Sequence, residues 1–413
     1  MPKLILAYSG GLDTTTAITW LSKERGYEVI ALNINAGMSR DQDILEERGL
    51  AAGASKVIVL DAREDFLRYF AFPALAAGAV YQGIYPLATA LARPLMAKLL
   101  VDTAHKEKAI AVAHGCTGKG NDQVRFDIGI QTLDPKLQIV APTREQSMSR
   151  EEEIDYLQKN GIAIEWEPTG SFSIDENIWG RSCEAGILED PWLEPPTDAW
   201  EWTAAIDETP NQSKEIEISF HKGVPVKIGT TKLNAVNLVE QLNNLGGTYG
   251  IGRSDHVEDR LVGIKSRELY EAPAAVILHI AHKALESMTL SRRQLRMKQQ
   301  IAEEYAELIY DGHWFSRHHQ DLATYVMSTQ RNVSGVVRLK LHRGAAIISG
   351  RQSQESLYDY GLATYDREDT FNQSSSVGFI DIWGLQTRVQ ATKQLLGETE
   401  ILKIARPSEE GEA

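Results

Sequence analysis

The feature that most limits what this chain folds into is an alternation of period along its first third. Leu4 to Ala7 is an apolar run closed by Ser9-Gly10-Gly11, and Thr14 to Arg25 then carries Ala17, Ile18 and Leu21 at helical spacing before Gly26. That is a strand, a tight turn, a helix and a glycine stop. The cycle returns with a strand from Val29 to Leu32, a helix from Asp41 to Ala52 ended by Gly53, a strand from Val57 to Leu60 and a helical segment from Asp61. A helix from Leu95 to Lys106 leads into a fourth strand, Ala109 to Val112, and Gln138 to Val140 is a fifth. Strands that are apolar throughout need cover on both faces, and helical crossovers lay each one parallel to its neighbour. The expected class is α/β: a parallel sheet with helices on both faces, whose ligands sit beyond the carboxyl ends of the strands.

A Pro- and Trp-rich stretch from Pro191 to Pro210 ends this regime. In Glu215 to Phe220 the apolar residues alternate, His221-Lys-Gly223 turns, and Val224, Val226 and Ile228 alternate back, which is an antiparallel hairpin. Val336 to Leu341, Arg343-Gly344 and Ala345 to Ile348 form a second. Between them lie helices from Leu233 to Leu245, Ala274 to Ser287 and Arg292 to Ile309, so a second α+β domain is expected. A C-terminal helix from Val377 to Leu396 and a frayed tail from Ser408 follow. The 413 residues suit two or three domains at roughly 100–200 residues each. The expected divisions are 1–168, 169–372 and 373–413.

With 43 Lys+Arg against 57 Asp+Glu and a net charge of −14, the surface lacks the positive field that a broad nucleic-acid footprint needs. Cys116 and Cys183 alone cannot build a disulfide framework, which favours a reducing compartment. The opening MPKLILAYSGG has none of the ordered regions of a signal peptide, so a cytoplasmic location is expected. Tyr69 to Ala92 carries no charge and has the length of a membrane span, but Pro73, Gly78, Gly83 and Pro86 break it. It reads as buried, interrupted helix, with no membrane partner.

Two loops carry the chemistry. In Ala7-Tyr8-Ser9-Gly10-Gly11-Leu12-Asp13-Thr14-Thr15 the glycines let backbone approach an oxyanion, the hydroxyls donate, and the following helix offers free N–H groups and its positive dipole end. The spacing is neither G-x-x-x-x-G-K-[ST] nor G-x-G-x-x-G, so neither a Walker nucleotide triphosphatase nor a dinucleotide oxidoreductase is supported. By composition alone, an ordinary capped turn weighs as much as a phosphate binder. The second loop, His114-Gly-Cys-Thr-Gly-Lys-Gly-Asn-Asp-Gln-Val-Arg-Phe-Asp127, follows the fourth strand at the same edge. Lys119 and Arg125 bring positive charge there, and Asn121 and Asp122 can recognise an amine or amide.

The first loop resembles the S-G-G-x-D-[ST] pyrophosphate loop of the N-type ATP pyrophosphatases, and the second resembles the H-G-x-T-G-K-G-N-D-Q-V-R-F motif of the argininosuccinate synthase family. The resemblance extends to Ser173–Ile178, Glu184–Glu189, Gly263–Arg267 and Tyr270–Pro273, so it covers most of the chain. It implies an adenine nucleotide alpha hydrolase-like sheet and a carbon–nitrogen ligase of arginine biosynthesis, which joins L-citrulline to L-aspartate as argininosuccinate. The ureido oxygen of citrulline would attack the α-phosphorus of ATP, and the amine of aspartate would displace AMP from citrullyl-AMP. No covalent nucleophile is called for, so no residue is assigned one. Mg²⁺ would accompany ATP, with ligands that the sequence does not identify, and the assembly would be a homotetramer.

Carried over residue by residue, the resemblance implies ATP along Ala7, Tyr8, Ser9, Gly10, Gly11, Leu12, Asp13, Thr14 and Thr15 and against Ile34 and Gly115, with Lys119 neutralising charge. Aspartate would meet Thr117, Asn121 and Asp122, the last as counter-charge to its ammonium. Citrulline would meet Tyr85, Asn121, Arg125, Ser173, Ser182, Glu258 and Tyr270, with Arg125 on the α-carboxylate and Glu258 accepting from N–H groups. Four departures stand out. Ala90 replaces a usual Ser, so backbone or the neighbouring Thr89 must make that contact. Ile34 replaces a usual Ala and crowds the adenine unless the strand shifts. Thr15 replaces Ser with its hydroxyl kept, and Trp179-Gly180-Arg181 is a variant filling before Ser182.

Other signals are weaker. Cys116 and Cys183 are too far apart in sequence for sulfur transfer, and Cys116 reads as a small loop residue. His279, His282, His318 and His319 read as packing or surface residues rather than metal ligands. Trp192, Trp200 and Trp202 read as the filling of an interdomain seam. Two alternatives remain: an ATP pyrophosphatase that adenylates another acceptor, such as a tRNA base, and a non-catalytic nucleotide-binding module. The net charge and the absence of a cysteine pair weigh against the first. The second has no need of Asn121, Asp122, Arg125 and Glu258 together.

Overall fold

A computed structural model describes residues 1–37, 42–146, 148–162 and 172–394. The first sheet contains β1 (Lys3–Ala7), β2 (Glu28–Asn35), β3 (Lys56–Asp61), β4 (Ala111–Ala113) and β5 (Gln138–Val140), in the order β3-β2-β1-β4-β5. Every pairing is parallel. On β1, Leu4 and Leu6 pack with Ala17, Ile18 and Leu21, while Ile5 turns to the other side and packs with Ala97, Leu100 and Phe126. Successive side chains leave a strand on opposite faces, so cover on both sides is what makes these runs apolar throughout.

The strand order carries the functional consequence. The chain steps from β1 out to β3 and then returns across the sheet to β4, which lies against β1 with Leu4 opposite Ala111 and Leu6 opposite Ala113. The segments after β1 and β4 therefore leave the same rim, side by side, at a topological switch point. The fourth strand lies slightly later than the Ala109 to Val112 expected. Lys108 ends the Ala88–Glu107 helix in a left-handed conformation (φ 57°), and the N–H of Ala109 donates to Ala104, so that residue completes the helix end.

The uncharged stretch is interrupted helix. A π-turn at Leu67–Ala71 runs into a helix at Phe72–Ala77, which stops at Gly78 (φ 75°); the chain turns, and the Ala88–Glu107 helix begins. Among the described residues no helix is long and apolar enough to cross a membrane.

Both expected hairpins form, and they share one sheet. β8 (Lys214–His221) pairs with β9 (Val224–Ile228), β13 (Gly335–His342) pairs with β14 (Ala345–Gln352), and β8 joins β13 in the order β10-β9-β8-β13-β14, where β10 is Thr231–Lys232. The helices Ala235–Thr248, Pro273–Thr289 and Arg292–Tyr310 lie where helical spacing placed them, and Arg317–Thr329 is an additional one. A third sheet, absent from the sequence reading, has the order β11-β12-β7-β6, from Arg253–Asp259, Lys265–Glu271, Gly180–Glu184 and Ser173–Asn177. Its strands are SIDEN, GRSCE, RSDHVED and KSRELYE. Polar residues occupy both faces of these strands, so no apolar period announces them.

Residues 1–357 form one unit and 358–413 a second. In the second, the expected single helix is two, Ser375–Trp383 and Leu385–Lys393, divided at Gly384, a residue that weakens helix continuity. Leu396 and the tail from Ser408 lie outside the described residues.

Candidate active site

The loop after β1 is shaped by Gly10, whose φ of 77° is a conformation that side-chain-bearing residues avoid. Gly11 occupies the N-cap of the Leu12–Lys23 helix and has no side chain to cap it. The nearby hydroxyls are tied to the loop. Ser9 Oγ and Thr14 Oγ1 lie 3.1 Å apart, the Gly11 N–H donates to Ser9 Oγ, and Thr14 and Thr15 donate to the Gly11 carbonyl at 3.3 and 2.8 Å. Leu12 is buried and Asp13 exposed. Arg48, which carried no signal in the sequence, donates from Nη1 to the Gly10 carbonyl at 2.7 Å and fixes this bend from the neighbouring helix.

The second loop is anchored at both ends. His114 Nδ1 accepts from the Cys116 N–H at 3.2 Å, so its proton sits on Nε2, 2.7 Å from Asp127. Burial pushes the Asp127 carboxyl up, but His114 and Arg144 outweigh it and hold the group below the usual range. Burial raises the Cys116 thiol, so it is a protonated loop residue. Thr117, Gly118 and Lys119 are exposed at the tip. A Cβ on Gly115 would lie 3.0 Å from Thr14 Cγ2, which brings the two loops into contact, and Thr143 donates to the Gly115 carbonyl at 3.2 Å. Ile34, near the end of β2, is half-buried among Ile58, Leu60 and Met96.

Beside this rim lies a cavity of about 300 Å³. Tyr85, Asn121, Arg125, Ser173, Ser182, Glu258 and Tyr270, all seven residues expected around citrulline, line it, together with Asp122. Thr117 and the Ser9 to Thr15 loop are not part of its wall. Asp175, Glu184, Arg260 and Glu268 are, and sequence reasoning passed over them. Their signal was present in part, since Asp175 and Glu184 fall inside segments that carry the resemblance.

The wall is held by ion pairs. Asp122 Oδ1 accepts from Arg125 Nη1 at 2.9 Å and Oδ2 from Arg93 Nη2 at 2.7 Å; Arg93 also pairs with Asp175. Burial works against the Asp122 charge, and the two guanidinium groups overcome it and hold the carboxyl low. At Asp175 burial wins, and the group is pushed up. Arg125 Nη2 is buried with no hydrogen-bond partner among the described residues. Arg260 ties Glu184 to Glu268, which burial pushes up to about 8, with Glu184 adding to the shift and Arg260 opposing it.

Tyr85 and Tyr270 stack with centroids 4.0 Å apart. Tyr85 Oη accepts from the N–H groups of Thr89 at 2.9 Å and Ala90 at 3.4 Å. The Ala90 N–H is thus engaged, and Thr89 rather than Ala90 lines the cavity. Tyr270 donates to Glu258 Oε2.

The tryptophans do not act as a group. Trp192 is 93% exposed, since the turn that carries it stands clear of any core, whereas Trp200 is half-buried under Arg253 at 4.8 Å. On the Pro273–Thr289 helix His279 is half-buried and His282 is buried against Gln330. Burial pushes His279 down to about 3, with His282 and Lys298 adding to the shift.

Comparison with known proteins accounts for nearly the whole chain. Residues 3–163 match the family model described as the arginosuccinate synthase N-terminal HUP domain, and residues 172–390 match the arginosuccinate synthase C-terminal domain. An argininosuccinate synthase of Dehalococcoides mccartyi is 52% identical over 398 residues, covering 96% of this chain and 98% of that protein. One from a Geobacillus strain is 53% identical over 388 residues, with 94% and 96% covered, and one from Bacillus cereus is 51% identical over 387 residues, with the same shares.

Proposed function

The chain belongs to the argininosuccinate synthase family, and on that premise we propose how its residues divide the work of the reaction. The enzyme is a carbon–nitrogen ligase of arginine biosynthesis: it joins L-citrulline to L-aspartate through citrullyl-AMP and releases AMP and pyrophosphate. Transfer at phosphorus asks the protein for alignment and charge neutralisation rather than a nucleophile.

The nucleotide belongs at the β1/β4 rim. The uncapped helix end behind Gly11 suits pyrophosphate oxygens, to which the Ser9, Thr14 and Thr15 hydroxyls would turn from their present loop partners, and exposed Lys119 suits the charge that develops on them. Citrulline belongs in the cavity, its carboxylate on Arg125 Nη2 and its N–H groups on Glu258. Thr89 takes the place of the missing Ser hydroxyl at Ala90, whose backbone N–H Tyr85 already holds. Aspartate belongs between them, with its ammonium on Asp122. That carboxylate keeps lone pairs beyond the two its arginines use. The observation that carries this reading is the cavity wall itself, five carboxyl side chains and two guanidinium groups. It suits zwitterionic amino acids and repels phosphate.

Mg²⁺ bound together with ATP would neutralise phosphate charge. Such an ion takes one or two carboxylates and brings its remaining ligands with it. Exposed Asp13, at the loop, fits that need. Assembly as a homotetramer is supported by the exposed Val377, Phe379, Ile380, Ile382 and Trp383. A cytoplasmic location is supported by two cysteines that are both free.

Pyrophosphate release from ATP, measured with citrulline and with or without aspartate, tests the assignment. Citrulline-dependent release and aspartate-dependent argininosuccinate are expected. No response to citrulline rejects the substrate reading.

A further inference from the structure

Tyr310 closes the Arg292–Tyr310 helix, is buried, and does not line the cavity. It nonetheless touches three residues assigned above to substrate. Its hydroxyl donates to Glu258 Oε1 at 2.6 Å and accepts from Asn121 Nδ2 at 2.8 Å. Its carbonyl accepts from Arg125 Nε at 2.8 Å, and its ring lies 4.7 Å under the Arg125 guanidinium. Behind it, Tyr81 stacks at 3.6 Å.

The directions of these bonds matter more than their number. A phenol has one proton, and here Glu258 takes it, so toward Asn121 the oxygen can only accept. Burial, reinforced by Glu258, pushes the Tyr310 hydroxyl up, which keeps that proton in place. The Leu261 N–H donates to Asn121 Oδ1 at 2.9 Å, so the two faces of the amide are fixed from opposite sides. One Nδ2 hydrogen and one Oδ1 lone pair remain for a ligand. Glu258, with an oxygen on each of Tyr310 and Tyr270, likewise has its carboxylate fixed from both ends and keeps further lone pairs for a ligand.

We propose that Tyr310 is a positioning residue whose hydroxyl sets Asn121 and Glu258 together and so couples the aspartate and citrulline subsites. This rests on the functional reading above. The Tyr310→Phe variant keeps the ring, its stack on Tyr81 and the carbonyl contact to Arg125, and removes only the hydroxyl. Steady-state kinetics on the full-length enzyme should then show KM for citrulline and for aspartate each raised about tenfold, KM for ATP within about twofold, and a thermal midpoint near that of the wild type. Combined with Asn121→Ala, the loss in kcat/KM for aspartate should be smaller than the product of the single losses. A uniform change in all three KM values, or strictly multiplicative losses, overturns the proposal. Wild-type enzyme that makes pyrophosphate without regard to citrulline overturns the functional reading instead, and this inference with it.

Discussion

At the β1 rim, what a ligand meets is the backbone and hydroxyls of a few consecutive residues, bent by one glycine at φ 77°. In the cavity it meets side chains from six separate stretches of chain, between Tyr85 and Tyr270, five of which bring charged groups, several already locked to one another in ion pairs. The rim is a local device: its shape follows from the neighbouring residues and from the helix it opens. The cavity is a tertiary device, in which Arg93 meets Asp175 only because a helix and a polar strand pack together. Phosphate recognition tolerates the first arrangement because helix ends and glycine loops bind anions by themselves. On the proposed assignment, two zwitterions that must be told apart and aligned need the second.

The comparison breaks most easily at Arg125. Arg125→Ala removes the unpartnered Nη2 and leaves Asp122 with Arg93 alone, so KM for citrulline should rise by roughly 100-fold or more while KM for ATP changes little. Equal losses for both substrates would merge the two regions. Gly10→Ala should do the converse. A methyl at this φ costs about 1–2 kcal/mol, so KM for ATP should rise about tenfold with citrulline binding preserved, and a cavity-side loss would show that the bend serves both. Lys119→Ala, at an exposed tip, should raise KM for ATP only about threefold at low salt and less as salt is added.

The smallest effect separates the regions by pH. Burial pushes Glu153, beside Asp13 near the rim, and Glu268, in the cavity wall, up to about 8 from an ordinary 4.5. A carboxyl raised in this way binds its proton more tightly in the folded chain. Its contribution is full below pH 4.5 and is lost as pH climbs through 8. Glu153→Gln and Glu268→Gln should each flatten the decline in thermal midpoint between pH 5 and 8.5 by about 2 °C. Profiles parallel to the wild type would remove that group from the account.

What was legible in the sequence follows the same division. The parallel sheet and its rim were readable because both-sided burial makes strands apolar and a phosphate loop is contiguous. The β11-β12-β7-β6 sheet was not, because its strands carry polar residues on both faces and show no apolar period. Ser173, Ser182, Glu258 and Tyr270 were reached by resemblance alone, although they share that sheet. Arg48, Arg93 and Tyr310 gave no signal at all. Each does its work on a partner distant in the chain, Tyr310 on Asn121 across 189 positions, and nothing local marks such a pair.

The proposed assignment requires rim and cavity to act as one site, with the ureido oxygen of citrulline in reach of the α-phosphorus. Turnover of citrulline carrying ¹⁸O in its ureido group tests this most directly, by mass spectrometry of the products. Attack by that oxygen followed by displacement of AMP transfers one ¹⁸O to AMP and none to pyrophosphate or argininosuccinate. Label retained in argininosuccinate, with AMP unlabelled, would contradict the account.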